Sequence, residues 1–177
     1  DEVITGYTAS LGAAHSSTLH AKMNLANLLR EQGQAAEARG IYDEVIAGFT
    51  ATFGAAHAHT IGAKTNLANL LQSQGQTAEA RRLYDEVVAG FAASFGAAHI
   101  DTLGAKTNLA NLLRSQGHAA EARRLYDEVV ADRTATLGAA HTETLKAKNN
   151  LALLIIDSQG QPAEARRLYV EVVAGFT

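Results

Sequence analysis

The sequence predicts an all-α protein, a solenoid of stacked antiparallel helix pairs on a 42-residue repeat, and three observations predict it. Gly12, Gly54, Gly96 and Gly138 stand 42 residues apart, as do His15, His57, His99 and His141, and Lys22, Lys64, Lys106 and Lys148. Residues 57–98 and 99–140 are identical at 31 of 42 positions. Helix formers such as Ala, Leu, Arg, Gln and Glu dominate, while Pro occurs once and Trp not at all.

Each unit divides at its glycines. In the second unit, helix A is expected over residues 58–74, and Gly75 supplies the left-handed residue that follows many helix ends. Helix B is expected over residues 77–95, and Gly96 closes it. Pro162 stands where the third unit has Ala119, and proline suits the first position of a helix. His57 sits where the N-cap of helix A belongs. In helix B, Ala80, Leu83, Tyr84, Val87, Val88, Phe91 and Phe95 form one apolar stripe, and Leu67, Ala68, Leu70 and Leu71 form its counterpart on helix A. One pair cannot bury both faces, whereas stacked pairs can.

The units are expected at 13–54, 55–96, 97–138 and 139–177, forming a single repeat domain. Residues 1–12 match the second half of a preceding helix B, and the last helix stops short of its counterparts. The fourth unit is irregular. It takes ten residues from Asn150 to Gly160, where Asn108 to Gly117 takes nine. Either a π-bulge in helix A or a longer turn after Asp157 absorbs the extra residue; a bulge would set Ile155 and Ile156 in competition for the core. Asp132 and Arg133 put charge into the helix B stripe of the third unit. Gly48, Gly62, Gly90 and Gly104 lie within expected helices and each costs about 1 kcal/mol relative to Ala.

Composition excludes several functions. The net charge is −3, and the Arg pairs lie beside acids in every unit, against a nucleic-acid partner. There is no Cys, hence no thiol catalysis or Cys-ligated metal. No apolar run approaches the ~18 residues that span a bilayer, so no membrane role is expected and a cytoplasmic location is. The periodic His residues lie a helix pair apart, on the order of 10 Å, which suits capping better than metal binding. His57 and His59 are not expected to face each other; His20 and His118 are expected at the surface. Every acid repeats with the period, so no catalytic set, metal site or cofactor is expected. Glu79 with Arg82 is expected as a helix-surface ion pair.

The segment AKTNLANLLQSQGQTAEARRLYDEVVAG resembles a tetratricopeptide repeat through Leu67, Ala68, Leu71, Gly75, Ala80, Tyr84 and Val87. The 42-residue period and the LG–xxH–xxT entry resemble the kinesin-light-chain subgroup. Lys64 departs from the family's usual aromatic, and the unit lacks the family's final Pro. Ser16, Ala58, Ile100 and Thr142 follow the His where the subgroup often has Pro. The resemblance implies a right-handed superhelix with helix A on the concave side, and a non-enzymatic protein-interaction scaffold. Asn27, Asn69 and Asn111 would then point into the groove with Thr65, Thr107, Arg30, Gln72 and Arg114, and Leu153 would break the series. An Asn amide both donates and accepts, so it pairs with an extended peptide of almost any sequence. Asn24, Asn66, Asn108 and Asn150 are expected instead at helix interfaces, and Lys64 and its counterparts lie one residue off a carboxylate-clamp position. The expected partner is a protein or peptide. The alternative is a homo-oligomer that stacks end to end through apolar terminal repeats.

Overall fold

The computed structural model describes residues 2–158 and 161–176, the Phe176 side chain excepted. Among these residues every regular element is an α-helix: α1 (Glu2–Leu11), α2 (Ser16–Glu31), α3 (Ala35–Phe53), α4 (Ala58–Ser73), α5 (Thr77–Phe95), α6 (Ile100–Ser115), α7 (Ala119–Leu137), α8 (Thr142–Asp157) and α9 (Pro162–Phe176). The chain forms two compact units, Asp1–Ser94 and Phe95–Thr177. The all-helical class and the pairing of a shorter helix A with a longer helix B are as the repeat predicts.

The links between helices are held by the periodic residues. Gly54 has φ of 95°, which ends α3, and its N–H donates to the Thr50 carbonyl at 2.9 Å. Thr60, fully buried, returns its hydroxyl to the Gly54 carbonyl at 2.8 Å. His57 caps α4, its Nδ1 accepting from the His59 N–H at 3.3 Å. His15, His99 and His141 cap α2, α6 and α8 in the same way. The sharper A-to-B turn uses Gly75 at φ 73°, and the Gln76 N–H closes onto the Leu71 carbonyl at 2.9 Å.

In the first unit, Leu19, Val45, Phe49 and Ala63 form one buried cluster drawn from α2, α3 and α4, with Met23, Ile41 and Ile46 packed against it. In the second, Leu103, Val129 and Ala147 do the same for α6, α7 and α8, with Val130 beside them. Each full burial of such an aliphatic side chain stabilises by about 1.5–3 kcal/mol. A third helix is needed in both clusters, which is why one pair alone does not suffice. Ion pairs join the two helices of each repeat: Lys22–Glu44 and Lys64–Glu86 at 2.7 Å, Lys106–Glu128 at 3.0 Å and Lys148–Glu171 at 2.8 Å.

Two sequence alternatives resolve. α8 has 16 residues, as do α2, α4 and α6, so the fourth repeat carries no bulge. Its extra residue falls in the turn; Gln159 and Gly160 lie outside the described residues. The helical register therefore holds, with Ile155 at 2% exposure and Ile156 at 53%. Arg133 is accommodated at 6% exposure by donating Nη1 to the Glu143 carbonyl at 2.9 Å, with the Glu143 carboxylate 3.5 Å away.

The helical glycines are of two kinds. A Cβ on Gly48 would lie 2.6 Å from Leu19, and one on Gly90 would lie 2.9 Å from Ile61. A Cβ on Gly62 or Gly104 would meet nothing within 4 Å. Close helix approach explains the first two, whereas Gly62 and Gly104 only weaken their helices. Replacement of Gly62 by Ala should raise unfolding stability by about 1 kcal/mol in guanidinium titration. Gly48→Ala should give no such gain, because Leu19 must move. By contrast, Thr60→Val should cost about 1 kcal/mol by removing the hydrogen bond from the buried Thr60 hydroxyl to the Gly54 carbonyl.

Candidate functional site

The groove residues expected from the sequence are all half-buried, and the structure ties most of them to their own repeat. A fully buried tyrosine in helix B reaches the asparagine of helix A. The Tyr42 hydroxyl donates to Asn27 Oδ1 at 2.6 Å, Tyr84 to Asn69 at 2.5 Å and Tyr126 to Asn111 at 2.5 Å. The Gln72 side-chain oxygen lies 3.0 Å from the same Tyr84 hydroxyl. Burial pushes the Tyr84 phenol up to about 12. Burial also drives Tyr126 to about 12, although Arg114 draws it down. These hydroxyls therefore stay protonated and act as donors. Each asparagine keeps its amide N–H groups for another acceptor.

The remaining candidates divide. Thr65 and Thr107 donate back to the carbonyls of Ile61, at 3.0 Å, and Leu103, at 2.8 Å, so their hydroxyls are committed within the helix. Arg114 reaches across to α8, with Nε 3.7 Å from the Asp157 carboxylate. Arg30 lies close enough to Tyr42 to oppose the upward shift that burial imposes on that phenol. Leu153 breaks the asparagine series in the fourth repeat, and Ile156 stands where Arg114 does.

Sequence reasoning missed three sets of contacts. The Tyr–Asn bond was legible as a 15-residue recurrence, but spacing alone does not orient two side chains on different helices. Glu79 pairs with Arg39 of the preceding repeat at 2.8 Å, not with Arg82, which lies 3.7 Å from Glu86 instead. Glu164 takes Arg123 at 2.7 Å in the same manner. The third set is an aromatic cluster in the first unit. The His20 ring stands 5.0 Å from Phe49 and 4.5 Å from His59, and the His59 ring lies 4.9 Å from His57. His57 and His59 meet because His57 is the cap, outside the helix whose geometry would have separated them. His118 remains at the surface, 3.5 Å from Glu121.

Among the described residues no group of three or more His, Asp or Glu could hold a metal ion, and no helix is long and apolar enough to cross a membrane. What the geometry offers is one oriented amide in each of three repeats, at Asn27, Asn69 and Asn111.

The comparisons with known proteins define the class further. The tetratricopeptide-repeat family model matches residues 14–93, 59–131 and 101–177. The chain belongs to the tetratricopeptide-repeat family, whose members are generally non-enzymatic protein-interaction scaffolds. It is similar to the crystal structure of a putative kinesin light chain from Podosopora anserina with nearly identical TPR-like repeats. Identity is 29%, over 98% of this chain and 82% of that one, with a TM-score of 0.84. BtubC (BKLC) from P. vanneervenii has the same fold at 18% identity, covering 89% of this chain and 64% of that one, with a TM-score of 0.76. No similar sequence is found among curated proteins.

Two measurements test the site's supports. His57→Ala should cost about 1 kcal/mol of stability, and His57→Asp should restore it, as an oxygen cap replaces Nδ1. His59 has its affinity for protons lowered by burial first, then by His20 and His57. Its folded value thus lies below the ordinary 6.5, so the neutral ring favours the fold. That contribution is complete above pH 6.5 and is lost as pH falls through the folded value. His59→Ser should flatten the acid limb of the stability–pH curve.

Proposed function

We propose that the chain is a protein-interaction scaffold that holds a peptide or helix along the helix A face. The observation that carries it is the repeated Tyr–Asn bond, which leaves Asn27, Asn69 and Asn111 half-exposed with fixed carbonyl oxygens and free amide donors. An asparagine already oriented loses little rotamer entropy on meeting a ligand carbonyl, which favours backbone recognition. Arg30, Gln72 and Arg114 flank this row and would meet acceptors on the partner; Thr65 and Thr107 would contribute shape, since their hydroxyls are engaged.

A peptide selected from a random display library on the unmodified chain gives the test. Asn27→Ala with Asn69→Ala should weaken that peptide at least tenfold in calorimetric titration, about 1.4 kcal/mol. Tyr84→Phe removes the hydrogen bond but keeps the amide, so it should cost far less affinity. Equal losses from both changes, or none from the first, would defeat the groove assignment.

A second reading is self-association by end-to-end stacking. It is favoured by exposed apolar side chains, among them Leu28 at 50% and Val170 and Val173 at 61% and 64%.

A further inference from the structure

We propose that the start of α6 and the end of α7 form a binding site for a small aromatic carboxylate, with its ring in an apolar cavity and its carboxylate on Arg133. The site lies within the third repeat and does not rest on the groove reading.

The first repeat supplies the template. There Leu19, Val45, Phe49 and Ala63 make one buried cluster, and Phe49 has no exposed surface. Its ring lies 6.1 Å from that of Phe53. Two repeats on, Leu103, Val129 and Ala147 form the same cluster without the ring, because Arg133 stands where Phe49 does. Asp132 stands where Gly48 does. A Cβ at Gly48 would lie 2.6 Å from Leu19. Asp132 carries that Cβ, so α7 cannot close on Leu103 as α3 closes on Leu19. The two changes leave a cavity of about 350 Å³ bordered by His99, Ile100, Leu103, Arg133 and Leu137. Leu103 and Leu137 are the counterparts of Leu19 and Phe53, between which the Phe49 ring sits. A phenyl group from solution would thus fill a place that the first repeat fills from its own chain. The volume falls at the lower end of the range of about 300–1,000 Å³ typical of small-molecule sites, which suits a compact ligand.

The charged wall defines the other half of the ligand. Arg133 is 6% exposed; its Nη1 donates to the Glu143 carbonyl at 2.9 Å, and its buried Nε has no partner among the described residues. A buried N–H without an acceptor is unfavourable, and a planar guanidinium takes a carboxylate on two parallel N–H groups. The other polar walls are committed. The Thr136 hydroxyl donates to the Asp132 carbonyl at 2.8 Å, and His99 Nδ1 accepts from the Asp101 N–H at 3.3 Å. Nearby acids limit the charge of the ligand. The Glu143 carboxylate lies 3.5 Å from Arg133 Nη1 and 2.8 Å from Lys146, and the Asp101 carboxylate lies 3.5 Å from His99. Two acids so close disfavour a dianion such as a phosphate ester and admit a single carboxylate.

Titration of 3-phenylpropionate into the full chain, followed by the methyl NMR signals of Ile100, Leu103 and Leu137, tests this. These signals should shift saturably. The neutral 3-phenylpropanamide has the same shape and should bind about tenfold more weakly, since it lacks the charge-assisted hydrogen bonds. Arg133→Phe restores the side chain of the first repeat and should abolish binding, with helicity by circular dichroism unchanged. Arg133→Gln keeps a polar side chain without the charge; it should weaken the acid about tenfold and leave the amide as it was. The absence of saturable shifts up to the solubility limit of the acid, or binding that survives Arg133→Phe, overturns the site. Equal affinity for acid and amide overturns the carboxylate assignment.

Discussion

The hydrogen bond from a buried tyrosine to a half-buried asparagine ties the core to the surface in the first three repeats. A phenol with no exposed surface must find an acceptor or forfeit on the order of 1–3 kcal/mol. In the first three repeats that acceptor is Asn27, Asn69 or Asn111 on the partner helix. The same bond locks helix B against helix A and sets the rotamer of the side chain facing outward. The proposed binding surface would therefore be the outer end of a core interaction, so that a change at one disturbs the other.

The junctions between repeats are less uniform than the repeats. In the first unit the end of α3 places Phe49 against His20 and His59. Two steps later the same positions hold Arg133 and Glu143, a buried guanidinium against a carbonyl and a carboxylate. The Lys146 hydrogen bond first, with help from Arg133, holds the Glu143 carboxyl below its usual value. Phe49 would leave Glu143 without the guanidinium that it meets besides Lys146, and Arg133 would face imidazole rings in place of a carboxylate. Near-identical repeats risk pairing in the wrong order during folding, and such matched substitutions penalise a misplaced neighbour. The cost is visible at Arg133, whose buried Nε has no partner among the described residues.

Local periodicity made the architecture legible. The glycine, histidine and proline positions define the helix ends because each acts on its own backbone: Gly54 through a positive φ, His57 through an acceptor two residues from its donor. The candidate asparagines were legible by register, but their commitment to tyrosine was not, since that depends on how two helices lie against each other. For the same reason Glu79 was assigned to Arg82 along its own helix, when Arg39 lay within reach from the neighbouring repeat. The extra residue of the fourth repeat could have entered a helix or a turn. The structure puts it in the turn because a bulge would have turned Ile155 out of the core, at greater cost than lengthening a surface link.

The fourth repeat then acquires a coherent meaning. Leu153 stands in place of an asparagine, Ile156 in place of an arginine or glutamine, and Val170 in place of an aspartate. Two of these changes delete one member of a polar pair that earlier repeats keep, Asn111 with Tyr126 and Asp127 with Arg123. Ile156 and Val170 border one cavity, and Arg166 is the charged group left there. These three losses of polarity make this helix pair more apolar than the pairs before it. Position by position the substitutions look like drift in a duplicated repeat. Taken together they replace polar side chains by apolar ones around a cavity whose one charged wall is Arg166.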